Sequence, residues 1–238
     1  MKQFLLLLVV LYLSSCSDKE KLIASYPLNG NLNDYALARV AEYKGEVNFV
    51  KTRHTKGLRY DNKKPISYII LPEIILNPKE YTISAIINIK SFNHNNSLFF
   101  YGSKNESWGN SGLWVYTDRN KITVFQESQV LNKKKYRNKE KYNNTFEACE
   151  ELDSNKDYFI TITYKEELLL IYLNGKLYAK YENVKPLKNK DRNFIIGIAN
   201  DPKTDGKFQL DGIIDEVKIF NKNLKEAEIT DLYNTYQK

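Results

Sequence analysis

Within Asp211-Gly212-Ile213-Ile214-Asp215-Glu216-Val217-Lys218-Ile219-Phe220, Ile213, Val217 and Ile219 share one face at period two, and Glu216 and Lys218 share the other. Asp215 then falls on the apolar face, and a carboxylate taken out of water must be paired, hydrogen-bonded or bound to a metal. Two tryptophans suggest a different chemistry. Trp108 stands in the polar loop Ser103-Lys104-Asn105-Glu106-Ser107-Trp108-Gly109-Asn110-Ser111, where an exposed ring would serve as a platform for sugar C–H faces beside amide and carboxylate partners for hydroxyls. The alternative is a loop folded back over the ring. Trp114 alternates with Tyr116 in a strand and is read as core or as a second platform on a binding face. Asn132-Lys133-Lys134-Lys135-Tyr136-Arg137-Asn138-Lys139-Glu140-Lys141 could grip phosphate or sulfate, but a chain this rich in Lys and Asn also places such runs in solvated loops. With only His54 and His94 and two cysteines, the chain offers neither a zinc ligand set nor a Ser-His-Asp arrangement.

These residues need a scaffold, and the start of the chain lies outside it. Lys2 followed by the apolar run Phe4-Leu5-Leu6-Leu7-Leu8-Val9-Val10-Leu11-Tyr12-Leu13 reads as a signal peptide over residues 1–15, too short to span a bilayer in the mature protein. Leu13-Ser14-Ser15-Cys16 resembles the bacterial lipobox, in which the thiol becomes the lipidated first residue. Acyl chains on Cys16 would anchor the protein without a spanning helix, palmitate among them, with 16–21 as a short linker. Ser17 in place of an Asp favours the outer membrane, and Asp18 and Glu20 resemble acidic surface-export signals. Cleavage removes one charge, Lys2, taking the net charge from +7 to about +6. Cys149 is then the only cysteine besides the anchor, so no disulfide staples the domain and a buried, inert thiol is expected. No nucleic-acid partner is expected of a secreted chain.

From Leu22 to Lys238 one domain is expected, since 42% hydrophobic and 13% aromatic residues can fill a single core. Leu22 to Leu28 forms a first strand, with Pro27 marking an edge or an end. Asn29-Gly30-Asn31-Leu32-Asn33-Asp34 is a polar turn. Ile83, Ala85, Ile87 and Ile89 alternate with Thr82, Ser84 and Asn88 as one packed face demands. Strands follow at Ser97–Tyr101, Gly112–Thr117, Lys121–Gln126, Tyr158–Tyr164, Leu168–Leu173 and Lys176–Tyr181, with Asn174-Gly175 as a type I′ hairpin. Asn223 and Glu226 fit a capping box, with Ile229, Leu232, Tyr233 and Tyr236 at helical spacing. The pattern predicts an all-β fold, a two-sheet antiparallel β-sandwich with a short C-terminal helix.

Gly212 through Tyr233 follow the Gly-x-Ile-Asp-Glu-Val-x-Ile-Tyr-x-x-x-Leu-Ser-x-x-Glu-Ile-x-x-Leu-Tyr ending of the laminin-G-like jelly rolls, with Phe220 for the Tyr and Lys225 for the Ser. Ser25-Tyr26-Pro27-Leu28-Asn29-Gly30-Asn31-Leu32-Asn33-Asp34 and Leu170-Ile171-Tyr172-Leu173-Asn174-Gly175-Lys176-Leu177 match as well, and the chain resembles this branch of the concanavalin A-like lectin/glucanase superfamily. The resemblance implies a jelly roll. It also implies calcium on Asp34 and Asp215 where the first and last strands run together, unless Asp34 shapes the turn and Asp215 takes hydrogen bonds. Glu151-Leu152-Asp153 begins the Glu-x-Asp-x-x-Glu triad of the superfamily's glycoside hydrolases, but Ser154-Asn155-Lys156 follow as a turn, so no enzyme is expected. The resulting reading is a lipid-anchored envelope protein that recognises glycans in adhesion or polysaccharide capture, or else an envelope or extracellular protein partner.

Overall fold

The computed structural model describes residues 22–62, 65–102, 112–126, 145–148, 151–187, 193–199 and 208–237. Two antiparallel sheets face each other. The first has eight strands: β1 (Leu22–Tyr26), β3 (Asn48–Lys51), β4 (Lys56–Tyr60), β6 (Glu80–Ile89), β11 (Asp157–Lys165), β12 (Leu168–Leu173), β13 (Lys176–Tyr181) and β15 (Gly212–Phe220). The second has seven: β2 (Glu42–Lys44), β5 (Tyr68–Leu71), β7 (Ser97–Gly102), β8 (Leu113–Asp118), β9 (Lys121–Gln126), β10 (Thr145–Glu147) and β14 (Asn193–Ile196). A single helix among the described residues, α1 (Glu226–Tyr236), closes the chain. This is the expected jelly-roll sandwich.

Period-two patterning builds the core. Ile83, Ala85, Ile87 and Ile89 of β6 meet Ile160, Ile162 and Tyr164 of β11, and across the sandwich Phe99, Val115, Val124 and Phe194 fill the facing layer. Asn174 and Gly175 both take positive φ, 51° and 76°, as the I′ hairpin between β12 and β13 requires.

β15 occupies a central place in the first sheet. One side pairs with β6, and the other pairs with β4 over Gly212–Ile214 and with β1 toward Phe220. Where that second partner changes, Ile214 sits opposite Ile87 and Val217 opposite Ala85, so Asp215 and Glu216 together oppose Ile86 in a bulge. The bulge corrects the strict period-two reading. Ile214, Val217 and Ile219 enter the core, while Ile213, Asp215 and Glu216 go to the outer face with Ile86 and Asn88.

That outer face is covered by α1. Leu224 and Ile229 pack on Ile86, Phe159 and Tyr172, with Tyr233 and Tyr236 beside Phe159. The cap also differs from expectation. Lys225 is the N-cap and its N–H donates to Glu228 Oε2 at 2.7 Å, whereas Asn223 Nδ2 donates to Thr163 Oγ1 and so serves the sheet.

Candidate binding groove

The turn joining β3 to β4, Thr52-Arg53-His54-Thr55, folds over the outer face beside the end of α1. Thr52 Oγ1 accepts from the Thr55 N–H at 3.1 Å and donates to Asp215 Oδ2 at 2.7 Å, tying the turn to the bulge. Between turn, bulge and helix runs a groove with two lobes of about 420 and 410 Å³. Both lobes share Arg53, His54, Ile86, Tyr236 and Gln237. The first continues to Pro27, Asn29 and Glu216, and the second to Asn88, Asp157, Asn155 and Tyr233. A small pocket lined by Thr52, Asn88, Asp157 and Asp215 lies in the floor between them.

Packing fixes the walls. His54 meets the Tyr236 ring edge-on with centroids 6.4 Å apart, and Lys218 Nζ lies 5.2 Å from the same ring's centroid while pairing with Glu216 at 2.7 Å. Asn88 Nδ2 donates to Asp157 Oδ1 at 2.7 Å across the β6–β11 pair. On the far wall the Asn174-Gly175 turn abuts the helix, since a Cβ on Gly175 would lie 3.0 Å from Tyr233 Cδ1.

Burial tunes the groove's acids. The Asp215 carboxyl is pushed up from 3.8 to about 6, first by burial and then by the charges of Glu216 and Asp157, against the lowering effect of the Thr52 hydroxyl and His54. The Tyr236 hydroxyl is driven well above its usual range by burial, by Glu216 and by Asp215, and so stays protonated. Amides, carboxylates, a guanidinium and tyrosine rings thus converge on one concave surface, the mixture that fixes an uncharged polyhydroxylated ligand by its hydroxyls and its C–H face.

The residues singled out in the sequence do not gather here as a set. Asp215 does, as part of the groove floor, but Asp34 is buried beside β1. Its Oδ1 accepts from the N–H groups of Ser25 at 2.8 Å and Ala36 at 2.9 Å. Its Oδ2 accepts from Arg39 Nε at 2.9 Å and Nη2 at 2.7 Å. With four N–H donors on its two oxygens, one pair from a cation, Asp34 does not fit a calcium ion. Asp215 is bonded to Thr52 instead, and among the described residues no three His, Cys, Asp or Glu side chains group as metal ligands.

Trp114 is packed on the outer face of the second sheet, 4% exposed. Its indole N–H donates to Ser97 Oγ at 3.0 Å, Tyr116 stacks on the ring with centroids 4.0 Å apart, and Phe208 meets it edge-on at 5.2 Å. The ring is buried under these neighbours on the outer face of the second sheet, so it belongs neither to the inter-sheet core nor to an open platform in this structure. Trp108, Cys16, Cys149 and the basic run 132–141 lie outside the described residues. Glu151 and Asp153 stand in an irregular segment that runs into the expected turn at Ser154-Asn155, where Asn120 bonds the first, and Lys156 and the Tyr158 hydroxyl bond the second.

Sequence reasoning missed Arg53, His54, Asp157 and the groove role of Tyr236. Only the polar turn Thr52-Arg53-His54-Thr55, carrying one of the chain's two histidines, signalled any of them.

A two-sheet jelly roll with a polar groove on its outer face defines a lectin-like class of fold. The chain belongs to the concanavalin A-like lectin/glucanases superfamily, whose laminin G model matches residues 64–230. Among solved structures it is similar to domain 4 of AbnA, a GH43 extracellular arabinanase from Geobacillus stearothermophilus solved with arabinotriose. The match is at 16% identity and TM-score 0.67, covering 90% of this chain and 98% of that one. It is also similar to botulinum neurotoxin type C, whose cell entry depends on two ganglioside molecules, at 17% identity and TM-score 0.68, covering 94% of this chain and 53% of that one. The binding domain of botulinum neurotoxin DC, solved with rat synaptotagmin II, matches at 18% identity and TM-score 0.67, covering 92% and 53%. The chain thus spans about half of those toxin chains. At such identities the likeness is one of fold. No curated protein matches.

Proposed function

We propose that this protein is a lipid-anchored glycan-binding protein of the cell envelope, holding saccharide in the groove between the β3–β4 turn and α1. The observation that carries this reading is the groove itself. Its lobes of about 420 and 410 Å³ share Arg53, His54 and Tyr236, and carboxylates, amides and tyrosine rings face inward from four separate elements. Arabinotriose on one structural neighbour and gangliosides on another support a saccharide as ligand. The groove's acids already have partners, Glu216 with Lys218, Asp157 with Asn88 and Asp215 with Thr52, and with neighbours that are mostly binding domains this supports binding over hydrolysis.

The anchor is Cys16, and the outer membrane is the site that Ser17 favours. The test is a glycan array, including arabinan oligosaccharides and sialylated glycans, probed with the full chain in detergent. A hit that falls at least tenfold in the double variant His54→Ala, Asp157→Ala is the expected result. A hit that survives the double variant overturns the groove. Silence across the array moves the reading to a protein partner.

A further inference from the structure

Large apolar side chains with high exposure are few, and they are not scattered. Of the six among the described residues, Tyr35 (62%), Leu37 (55%), Val40 (62%), Tyr43 (56%) and Ile75 (68%) come from two segments, and only Leu177 stands apart. Arg39 joins those two segments to the start of β1. Its Nη1 donates to the carbonyls of Pro72 at 3.0 Å and Glu73 at 3.1 Å, and its Nη2 donates to the Ile23 carbonyl. The loop is held from behind. Asp34 N–H donates to the Arg39 carbonyl at 2.7 Å, Tyr35 N–H to the Ser25 carbonyl at 2.7 Å and Ala41 N–H to the Leu32 carbonyl at 2.9 Å. On the other side Asn221 Nδ2 donates to the Ile75 carbonyl at 2.9 Å, and Phe220 pairs with Leu22. An apolar rim therefore lies beside β1, where the chain enters the fold.

From the geometry we infer that this rim, Tyr35, Leu37, Val40, Tyr43 and Ile75, rests in the surface of the bilayer that carries the lipid anchor. The inference builds on the anchor proposed above. Five residues separate Cys16 from Leu22. Fully extended, they reach about 20 Å, so the start of β1 cannot leave the membrane surface by more than that. A rigid loop tip bearing Tyr, Leu and Val at that place meets the headgroup boundary, where tyrosine rings are favoured and aliphatic side chains lose water contact. Exposed large apolar side chains gathered on two segments that Arg39 holds together mark an interaction site rather than chance exposure.

The second lobe of the groove lies away from the anchor end. Along β6, Thr82 pairs with Phe220 beside the anchor end, and Asn88 lines the groove. Six residues of strand separate them, about 20 Å at ~3.3 Å per residue. With the rim on the lipid, that second lobe is held out toward solvent, while the first lobe, which reaches Pro27 and Asn29, lies nearer the rim because the Tyr35 N–H donates to the Ser25 carbonyl.

The test uses the full chain purified from membranes and reconstituted in phosphatidylethanolamine–phosphatidylglycerol nanodiscs. In a Cys149→Ser background, an environment-sensitive fluorophore is placed through Leu37→Cys in one sample and Lys156→Cys in another, with lipids spin-labelled near the headgroup as quencher. Mass spectrometry of each sample reads the acylation of Cys16. Expected is an acylated chain with several-fold stronger quenching at residue 37 than at residue 156, abolished by adding Val40→Glu and Ile75→Glu. Equal quenching on an acylated chain overturns the inference while leaving the anchor standing. An unacylated Cys16 overturns both, and the mass tells the two failures apart. An unquenched label on a chain that sediments as a dimer assigns the rim to a second copy, and overturns it as well.

Discussion

Arg39 spends all of its donors at one place: two bonds to the carboxylate of Asp34, which is 2% exposed, and three to carbonyls of Ile23, Pro72 and Glu73. Removing it leaves a buried charge and three carbonyls uncompensated. Arg39→Ala is therefore expected to cost about 3–5 kcal/mol, read as a drop in urea midpoint at constant m-value. Arg39→Lys recovers little of that, because an ammonium cannot form the two-pronged contact with Asp34. An Arg39→Ala chain within 1 kcal/mol of wild type, about the worth of an exposed pair, would show that the pair is not a buried strut. Asp215 works in the opposite sense. Its folded pKa of about 6 lies above the ordinary 3.8, so the folded state holds the extra proton between those values. Stability from this group is present at low pH and lost as pH rises through about 6. Asp215→Asn keeps an acceptor for Thr52 and carries no charge. Its melting midpoint should gain on wild type between pH 5 and pH 7, and parallel pH profiles would count against a buried, titrating carboxyl. Asp34's partner, five residues along, could be suspected from the sequence, but Asp215's partner Thr52 is 163 residues away and could not.

The bulge in β15 and the helix α1 decide what the outer face of the first sheet becomes. Without the bulge, Glu216 would be carried round to the core side; with it, Asp215 and Glu216 both face Ile86 and the groove. Helix α1 then forms a wall, held by Ile229, which is fully buried, and by the Tyr236 and Tyr233 rings, 4.9 and 5.8 Å from Phe159. Ile229→Ala should cost about 2–5 kcal/mol by leaving a cavity under the helix. Because Tyr236 follows two turns later, saccharide affinity should fall with it under conditions where the sheet stays folded. Unchanged near-UV circular dichroism and unchanged affinity in this variant would mean that the helix is not a groove wall. At this scale β6, β9, β12 and β13 were legible because alternation ran unbroken and Asn174-Gly175 allows only one kind of turn. The phase of β15 was not, since a bulge is set by neighbours rather than by the strand's own sequence. The short strands β2, β3, β5, β10 and β14 carry too few residues for a period to show, and β2 has no buried residue at all.

As a whole, the molecule places the proposed attachment rim and the far lobe of the proposed groove at different points of one sheet. The family was legible from the end of the chain, where Gly212 to Tyr233 keep its pattern, yet the groove was not. Its walls come from Thr52–Thr55, β6, β11, β15 and α1, segments brought together only by the strand order β11-β6-β15-β4-β3. A rigid sandwich between the two ends has a thermodynamic consequence. Leu37 is exposed, so Leu37→Glu should alter stability by no more than about 0.5 kcal/mol. Asp157→Ala removes the hydrogen bond from Asn88 and costs about 1–2 kcal/mol. Leu37 stands in the β1–β2 loop and Asp157 at the start of β11, with no hydrogen-bond partner in common, so the double variant should equal the sum of the singles to within about 0.5 kcal/mol. Urea titration of the four chains checks this. A coupling beyond 1 kcal/mol would mean that rim and groove communicate through the sheet, so that seating the rim on lipid would alter what the groove binds. Additivity would leave the groove the same instrument on the membrane as off it.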